Sequence, residues 1–237
     1  MIDGPSEPLP PRFPDLMARR LGPDDAGALR ALRRQVLATL ADPDHYRVEG
    51  EVGDMVAEHL GGRGLVIGVF DPAVDGLIAY GALGLPGPGD ANRGADLPLP
   101  PSEWPRVAHL TSSMVLPAYR GHQLHRWLLE RRLEVGAELG RRHFLTTVSP
   151  RNHPSWGNLV ANGLYIKRLV VVGGGLVRCL VHRDLAVTAR FDADAATPCA
   201  LSDHDRQREL LRDGQWGWEK GRGPAGQPCM MFGHPLF

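Results

Sequence analysis

The stretch Val115-Leu116-Pro117-Ala118-Tyr119-Arg120-Gly121-His122-Gln123-Leu124-His125 joins two segments of different period. Before it, residues 106–115 are rich in apolar and β-branched side chains and read as a strand. After it, residues 122–140 carry Leu124, Leu128, Val135 and Leu139 on one stripe, widened by Trp127 and ended by Gly140, which predicts a helix. Pro117 stops the strand, and Arg120-Gly121 turns the chain into the helix start. A helix N-terminus presents unpaired N–H groups and about half a positive charge, a natural partner for phosphate. Arg120 adds charge and donors, and Gly121 lets backbone approach a ligand closely. Taken alone, the same residues are equally compatible with a plain turn glycine beside a solvated arginine.

Working outward, residues 16–21 read as a first strand, and Gly22-Pro23-Asp24-Asp25 supplies a break and acidic helix-start residues. A helix follows over 26–40, with Leu29, Leu32, Val36, Leu37 and Leu40 near one face. A second helix is expected from about 49 to 60, stopped by Gly61-Gly62. Two apolar runs, LVIGVF and GLIAYGALGL, flank a Pro-Ala-Val-Asp turn and predict a hairpin. Residues 86–105 show no periodicity, and loops of that length tend to be functional or mobile. Residues 143–148 read as a strand, 153–162 as a short helix ended by Gly163, and the two runs around Gly173-Gly174-Gly175 as a second hairpin.

The order β-α-α-β-β-β-α-β-α-β-β predicts an α+β fold, a mixed and mostly antiparallel sheet with flanking helices. Residues 185–191 suit one more strand and 193–198 a linker; Ser202-Asp203 caps a short helix to Leu211, and a Trp- and Gly-rich tail follows. The expected division is a Pro-rich leader over 1–15, a main domain over 16–185 and a C-terminal extension over 186–237.

The chain has 237 residues and a formal net charge of zero, so it lacks the basic footprint of a nucleic-acid binder. Lysine is nearly missing, with only Lys167 and Lys220. No apolar run approaches the roughly 20 residues that span a bilayer, and the N-terminus lacks the pattern of a signal peptide. Cys179, Cys199 and Cys229 form neither a zinc pattern nor a disulfide framework, and a reducing cytoplasm is the natural compartment. His122 and His125 could share a helix face, but no carboxylate or cysteine completes a ligand set, so no metal is expected.

At this point the sequence resembles the GNAT acyl-CoA N-acyltransferases over about residues 16–184. Their pyrophosphate motif, Arg/Gln-x-x-Gly-x-Gly/Ala after a Val-x-Pro segment, falls on Val115-Leu116-Pro117 and on Arg120 to His125. Their second signature, an Asn followed eleven residues later by Gly and an apolar residue, falls on Asn152, Gly163 and Leu164. Two positions depart from the motif: Gln123 stands for its first glycine and His125 for its last Gly/Ala. A Tyr seven residues after the Asn often serves as general acid in the family, and here that position is Leu159.

The resemblance implies acetyl-CoA as acyl donor and direct attack by a primary amine of a small molecule or amino-acid-like metabolite. It assigns the donor to Met114, Val115, Leu116, Arg120, Gly121, His122, Gln123, Leu124 and His125, with Asn152, Ser155 and Asn158. The Val115 backbone N–H would polarise the thioester carbonyl. His109 takes the position at which several members hold a catalytic Glu, and an imidazole with a pKa of about 6.5 suits a base. Simple alternation puts Thr111 and Ser113 on His109's face, a register that a β-bulge would shift. For the departing thiolate the candidates are Ser155, Asn158 and Tyr119. The alternative is a non-catalytic acyl-CoA-binding module that kept the fold. A longer acyl chain is equally compatible with the residues. Tyr165 reads as core, and Trp216 and Trp218 as packing of the tail; exposed strand edges allow a homodimer.

Overall fold

A computed structural model describes residues 7–13, 15–46, 54–223 and 226–237. Part of the leader, residues 1–6 and 14, and the start of the expected second helix, residues 49–53, lie outside the described residues. The chain divides into two compact units, one drawn from 1–41, 48–92 and 105–141, the other from 42–47, 93–104 and 142–237.

The first unit holds β1 (Glu7–Pro8), β2 (Met17–Arg20), α1 (Ala26–Ala38), α2 (Met55–Leu60), β3 (Gly64–Asp71), β4 (Gly76–Gly84), β5 (Val107–Val115) and α3 (Leu124–Glu138). Its strands run in the order β1-β2-β3-β4-β5, each pair antiparallel. β3 and β4 are buried along most of their length, as their apolar runs demand. The two faces of β4 carry different helices. A Cβ built on Gly81 would meet Arg132 of α3, whereas Tyr80 bonds to Arg33 of α1 and Gly84 faces His59 of α2. So α1 and α2 cover one face and α3 the other. In α1 the buried set is Leu29, Leu32, Arg33 and Val36, the spacing of one helical face.

The second unit holds β6 (His143–Val148), α4 (His153–Ala161), β7 (Tyr165–Val172), β8 (Leu176–Asp184), β9 (Thr197–Ala200), α5 (His204–Arg212), β10 (Trp216–Arg222) and β11 (Pro228–Gly233). Its strands run β6-β8-β7-β10-β11-β9, again antiparallel pair by pair. The hairpin between β7 and β8 turns at Gly174 and Gly175, both at positive φ (73° and 78°), where glycine carries no steric cost. Asp203 caps α5 by accepting from Arg206 N (3.0 Å), as the Ser-Asp pair predicted.

Five expectations need correction. Residues 185–191 form no strand; Arg190 makes only a bridge to Leu236. The expected linker over 193–198 runs into β9, and the Trp-rich tail is the hairpin β10–β11. There Trp216 of β10 stacks near Tyr165 of β7 (5.9 Å), a cross-strand ring pair that supports pairing which alternation alone did not signal, and Trp218 stacks on Phe191 outside the strands (5.0 Å). Leu139, placed on the buried stripe of α3, is exposed at the helix end, and α3 begins at Leu124 rather than His122. The reason is Gln123, whose left-handed backbone (φ 63°) cannot belong to the helix.

The class is therefore α+β: antiparallel strands with helices on the faces. Among the described residues, no helix is long and apolar enough to cross a membrane.

Candidate functional site

In the first unit, β5 feeds α3 through the loop that the sequence marked. Leu116 N–H donates to Ile78 O (3.0 Å), which makes Leu116 and Ile78 a hydrogen-bonded pair. In an antiparallel ladder the next pair, Val115 with Ala79, is then non-hydrogen-bonded, so the Val115 N–H points away from β4. That is the direction required of a group that is to polarise a carbonyl. The Val115 carbonyl accepts from Arg120 Nε (3.3 Å), which folds the Arg120 side chain back along the loop.

Gly121 sits at φ 83° with nothing within 4 Å of a built Cβ. Gln123 is exposed, adopts the left-handed conformation and gives α3 no side-chain cap. The first N–H groups of α3 are thus left for solvent or a ligand. Left-handed backbone at a non-glycine residue costs about 1–2 kcal/mol, and such strain clusters where a loop must hold one shape. His122 is exposed, whereas His125 is partly buried on the helix face that carries Arg132, seven residues on. Burial and the Arg132 charge push the His125 imidazole down to about 4, so it is neutral at pH 7 and brings no positive charge to an anion.

β5 carries a β-bulge. Leu110 pairs with Leu83 and Ser112 with Ala82, so Thr111 is the extra residue. The bulge changes which side chains share a face. Thr111 keeps His109's face, Ser112 joins it, and Ser113 is turned to the α3 side, opposite Gly81, where its hydroxyl donates to Tyr80 O (3.0 Å). The expected grouping of Ser113 with His109 is therefore overturned by the bulge.

Arg132 holds the bulge from the α3 side. Its buried guanidinium donates to Leu128 O (3.0 Å), Ala82 O (3.1 Å) and Ser112 O (3.4 Å), through the space left by Gly81. Burial lowers its pKa to about 10, still far above neutrality. On the other face Arg33 donates to the Tyr80 hydroxyl and to Ser112 Oγ (3.2 Å), and Tyr80 Oη lies 2.7 Å from Ser112 Oγ.

Beside this network, His59 Nε2 lies 2.8 Å from Thr111 Oγ1. A Cβ on Gly84 would fall 3.4 Å from His109 Cβ and 3.5 Å from His59 Nε2, so the structure brings His109, Thr111 and His59 together over Gly84. His59 was missed in the sequence because it lies on a six-residue helix, far along the chain from its partners. Met114 and Leu124 are buried and Leu116 is half-buried, holding the loop's two ends in the apolar interior. Tyr119 donates to Asp71 Oδ2 (2.7 Å), and that carboxylate raises the phenol's pKa, which makes Tyr119 a poorer acid.

In the second unit, Asn152 caps α4. Its Oδ1 accepts from Ser155 N (3.2 Å) and its Nδ2 donates to His45 O (3.3 Å). Ser155 and Asn158 are half-buried on the same helix, and Leu159, at the family's Tyr position, is buried. The segment with His45 is anchored through Asp44, which accepts from Ser149 Oγ (2.6 Å) and Arg178 (2.9 Å). Burial would raise the Asp44 carboxyl, but those bonds and the charges of Arg178 and Arg151 outweigh it and hold it low. This Asp44 anchor left no local mark in the sequence, because its partners lie 105 and 134 residues away along the chain.

No protein-family model matches the chain, and no curated protein matches it. Solved structures do. yncA from Salmonella typhimurium, solved with its cofactor acetyl-CoA, is 16% identical, with a TM-score of 0.54 over 76% of this chain and 99% of its own. The ribosomal-protein-S5-alanine acetyltransferase from Vibrio fischeri is 13% identical, with a TM-score of 0.54 over 76% and 96%. The GNAT domain of S. lividans PAT is 22% identical, with a TM-score of 0.51 over 72% and 90%. The chain has the fold of the GNAT acetyltransferases.

Proposed function

We propose that this chain is an acyl-CoA-dependent N-acyltransferase that moves an acetyl group from acetyl-CoA to a primary amine of a small molecule or amino-acid-like metabolite. One observation carries the reading: the bulged strand β5 ends with the Val115 N–H turned away from β4 and feeds a loop with positive φ at Gly121 and Gln123 into an uncapped helix start. The fold shared with acetyl-CoA-using proteins supports it.

In this reading the backbone N–H groups at the start of α3, with Arg120 beside them, hold the diphosphate of the donor. Gln123 and His125 do not obstruct this, because one is exposed and the other turns toward Arg132. The Val115 N–H polarises the thioester carbonyl as charge develops on its oxygen. The imidazoles at the bulge, His109 among them, take the proton that the attacking nitrogen sheds. Tyr119 is committed to Asp71 and is not proposed for the departing thiolate.

Calorimetric titration with acetyl-CoA tests the reading. Saturable binding by the wild type, abolished in Arg120→Glu, is expected; no binding by the wild type would refute it. The second reading, a non-catalytic acyl-CoA-binding module, is favoured by one observation, the buried Leu159 where the family often has its acid. Binding without thiol release in the presence of any primary amine would select it.

A further inference from the structure

The imidazole of His59 occupies a slot built for it. Gly64 of β3 and Gly84 of β4 are register partners, side by side under the ring. A Cβ on Gly64 would lie 2.9 Å from His59 Cδ2, and one on Gly84 would lie 3.5 Å from His59 Nε2. Two paired glycines therefore form a floor that larger residues would fill. The ring is buried, and its Nε2 is tied to the hydroxyl of Thr111 at 2.8 Å. Thr111 in contrast is exposed, and as the extra residue of the bulge it keeps His109's face. A buried imidazole joined to solvent through one exposed hydroxyl has the geometry of a proton path: the hydroxyl is reachable by a substrate nitrogen and the imidazole is oriented behind it.

We infer that His59 is the terminal proton acceptor of the transfer step, reached through the Thr111 hydroxyl. This rests on the acyltransferase reading given above. As the amine nitrogen bonds to the thioester carbonyl carbon, its N–H proton passes to Thr111 Oγ1 while the threonine's own proton passes to His59 Nε2. The carbon–sulfur bond breaks with its electron pair on sulfur, and the imidazolium later returns the proton to solvent or thiolate. No oxidant or further reactant is needed. Thr111 touches the substrate; His59 acts through it and is a positioning and proton-storing residue.

Among the described residues, the charged and titratable groups on the elements packed against α2 are few. β5 brings His109 beside Thr111. α1 brings Arg33, bonded to Tyr80 of β4 and to Ser112, and Arg30, paired with Asp54 at the start of α2 (2.6 Å). β3 brings Asp71, which accepts from Tyr119.

The test is the pH dependence of kcat for the full chain, with acetyl-CoA and a panel of primary amines (amino acids, polyamines, aryl amines and aminoglycosides), read by release of the coenzyme thiol. Where no amine turns over, the slow hydrolysis of acetyl-CoA, with water as acceptor, is followed in the same way. The wild type should show an acidic limb near the imidazole range. His59→Gln should lose that limb and about 10²-fold or more in kcat, with calorimetric affinity for acetyl-CoA unchanged. Thr111→Val, at an exposed position, should lose a similar factor. Added imidazole should restore turnover to His59→Ala by entering the slot over Gly64 and Gly84. His109→Gln, whatever it costs in kcat, should keep the limb. Loss of the limb in His109→Gln with its retention in His59→Gln would overturn the inference while leaving the acyltransferase reading intact. So would acylation of Thr111 itself, found by mass spectrometry. Failure of the wild type to bind acetyl-CoA, or to release any thiol once it is bound, would overturn both.

Discussion

His182 supplies the most quantitative test of the packing. It lies on β8, buried, with Nε2 3.1 Å from His143 Nδ1, and His143 Nε2 is 3.1 Å from Glu103 Oε2. Burial, then the charges of Lys167, His143 and Arg142, push its pKa down from 6.5 to about 3, against a smaller opposing pull from Asp184. The unfolded chain binds a proton at this residue from pH 6.5 downward, whereas the folded chain does not until about 3. Between those values the unfolded state holds more protons, so acid favours unfolding and stability falls as pH drops. From pH 7 to about 4.5 the loss from His182 amounts to about 2–3 kcal/mol, at 1.36 kcal/mol per unit.

Urea denaturation of the wild type and of His182→Gln at both pH values measures it. Glutamine keeps a hydrogen-bonding group toward His143 and cannot titrate. The drop in unfolding free energy on acidification should be smaller in the variant by about 2–3 kcal/mol. His125, pushed down to about 4, contributes in the same direction and equally in both proteins, so it cancels. An equal drop in the two would mean that Asp184 and Glu103 keep His182 charged in the fold, and the burial argument would fail.

Gln123→Gly should raise stability by about 1 kcal/mol, since glycine adopts the left-handed backbone freely, and should leave acetyl-CoA titration unchanged. Gly81→Ala would set a Cβ 2.8 Å from Arg132 Nε and 3.1 Å from its Cδ, in the middle of the side chain. Arg132 would leave the Ala82 and Ser112 carbonyls, and a fall of about 2–3 kcal/mol is expected in urea melts; an unchanged midpoint would show that Arg132 does not hold the bulge. Arg178→Met should cost about 3 kcal/mol by stranding the Asp44 carboxylate, with the loss shrinking at pH values low enough to protonate it.

Much of the frame was legible because its signals are local. The hairpin at Gly173 to Gly175 and the α5 cap at Asp203 each depend on residues within a few positions of one another. The passage from β5 through Arg120-Gly121 into α3 was legible for the same reason. Boundaries failed where one residue's backbone broke the pattern, as Gln123 did at the start of α3. The strands β9 to β11 were missed because β9 has four residues, β10 is charged and glycine-rich and β11 is a short apolar run without alternation, so their pairing rests on their partners.

The candidate site divides along the same line. The sequence by itself determined the phosphate-type loop and the strand that carries His109, because backbone geometry there follows from Pro117, Gly121 and the periodicities on either side. Only the tertiary structure decided which side chains meet His109. The bulge at Thr111 is stabilised by Arg132 from another element, and His59 reaches Thr111 across 52 residues of chain. The glycines that make room for both, Gly81, Gly64 and Gly84, look in the sequence like weak points of two strands. Their role is set by what packs on them, and contacts of that range leave no periodic trace in the order of the residues.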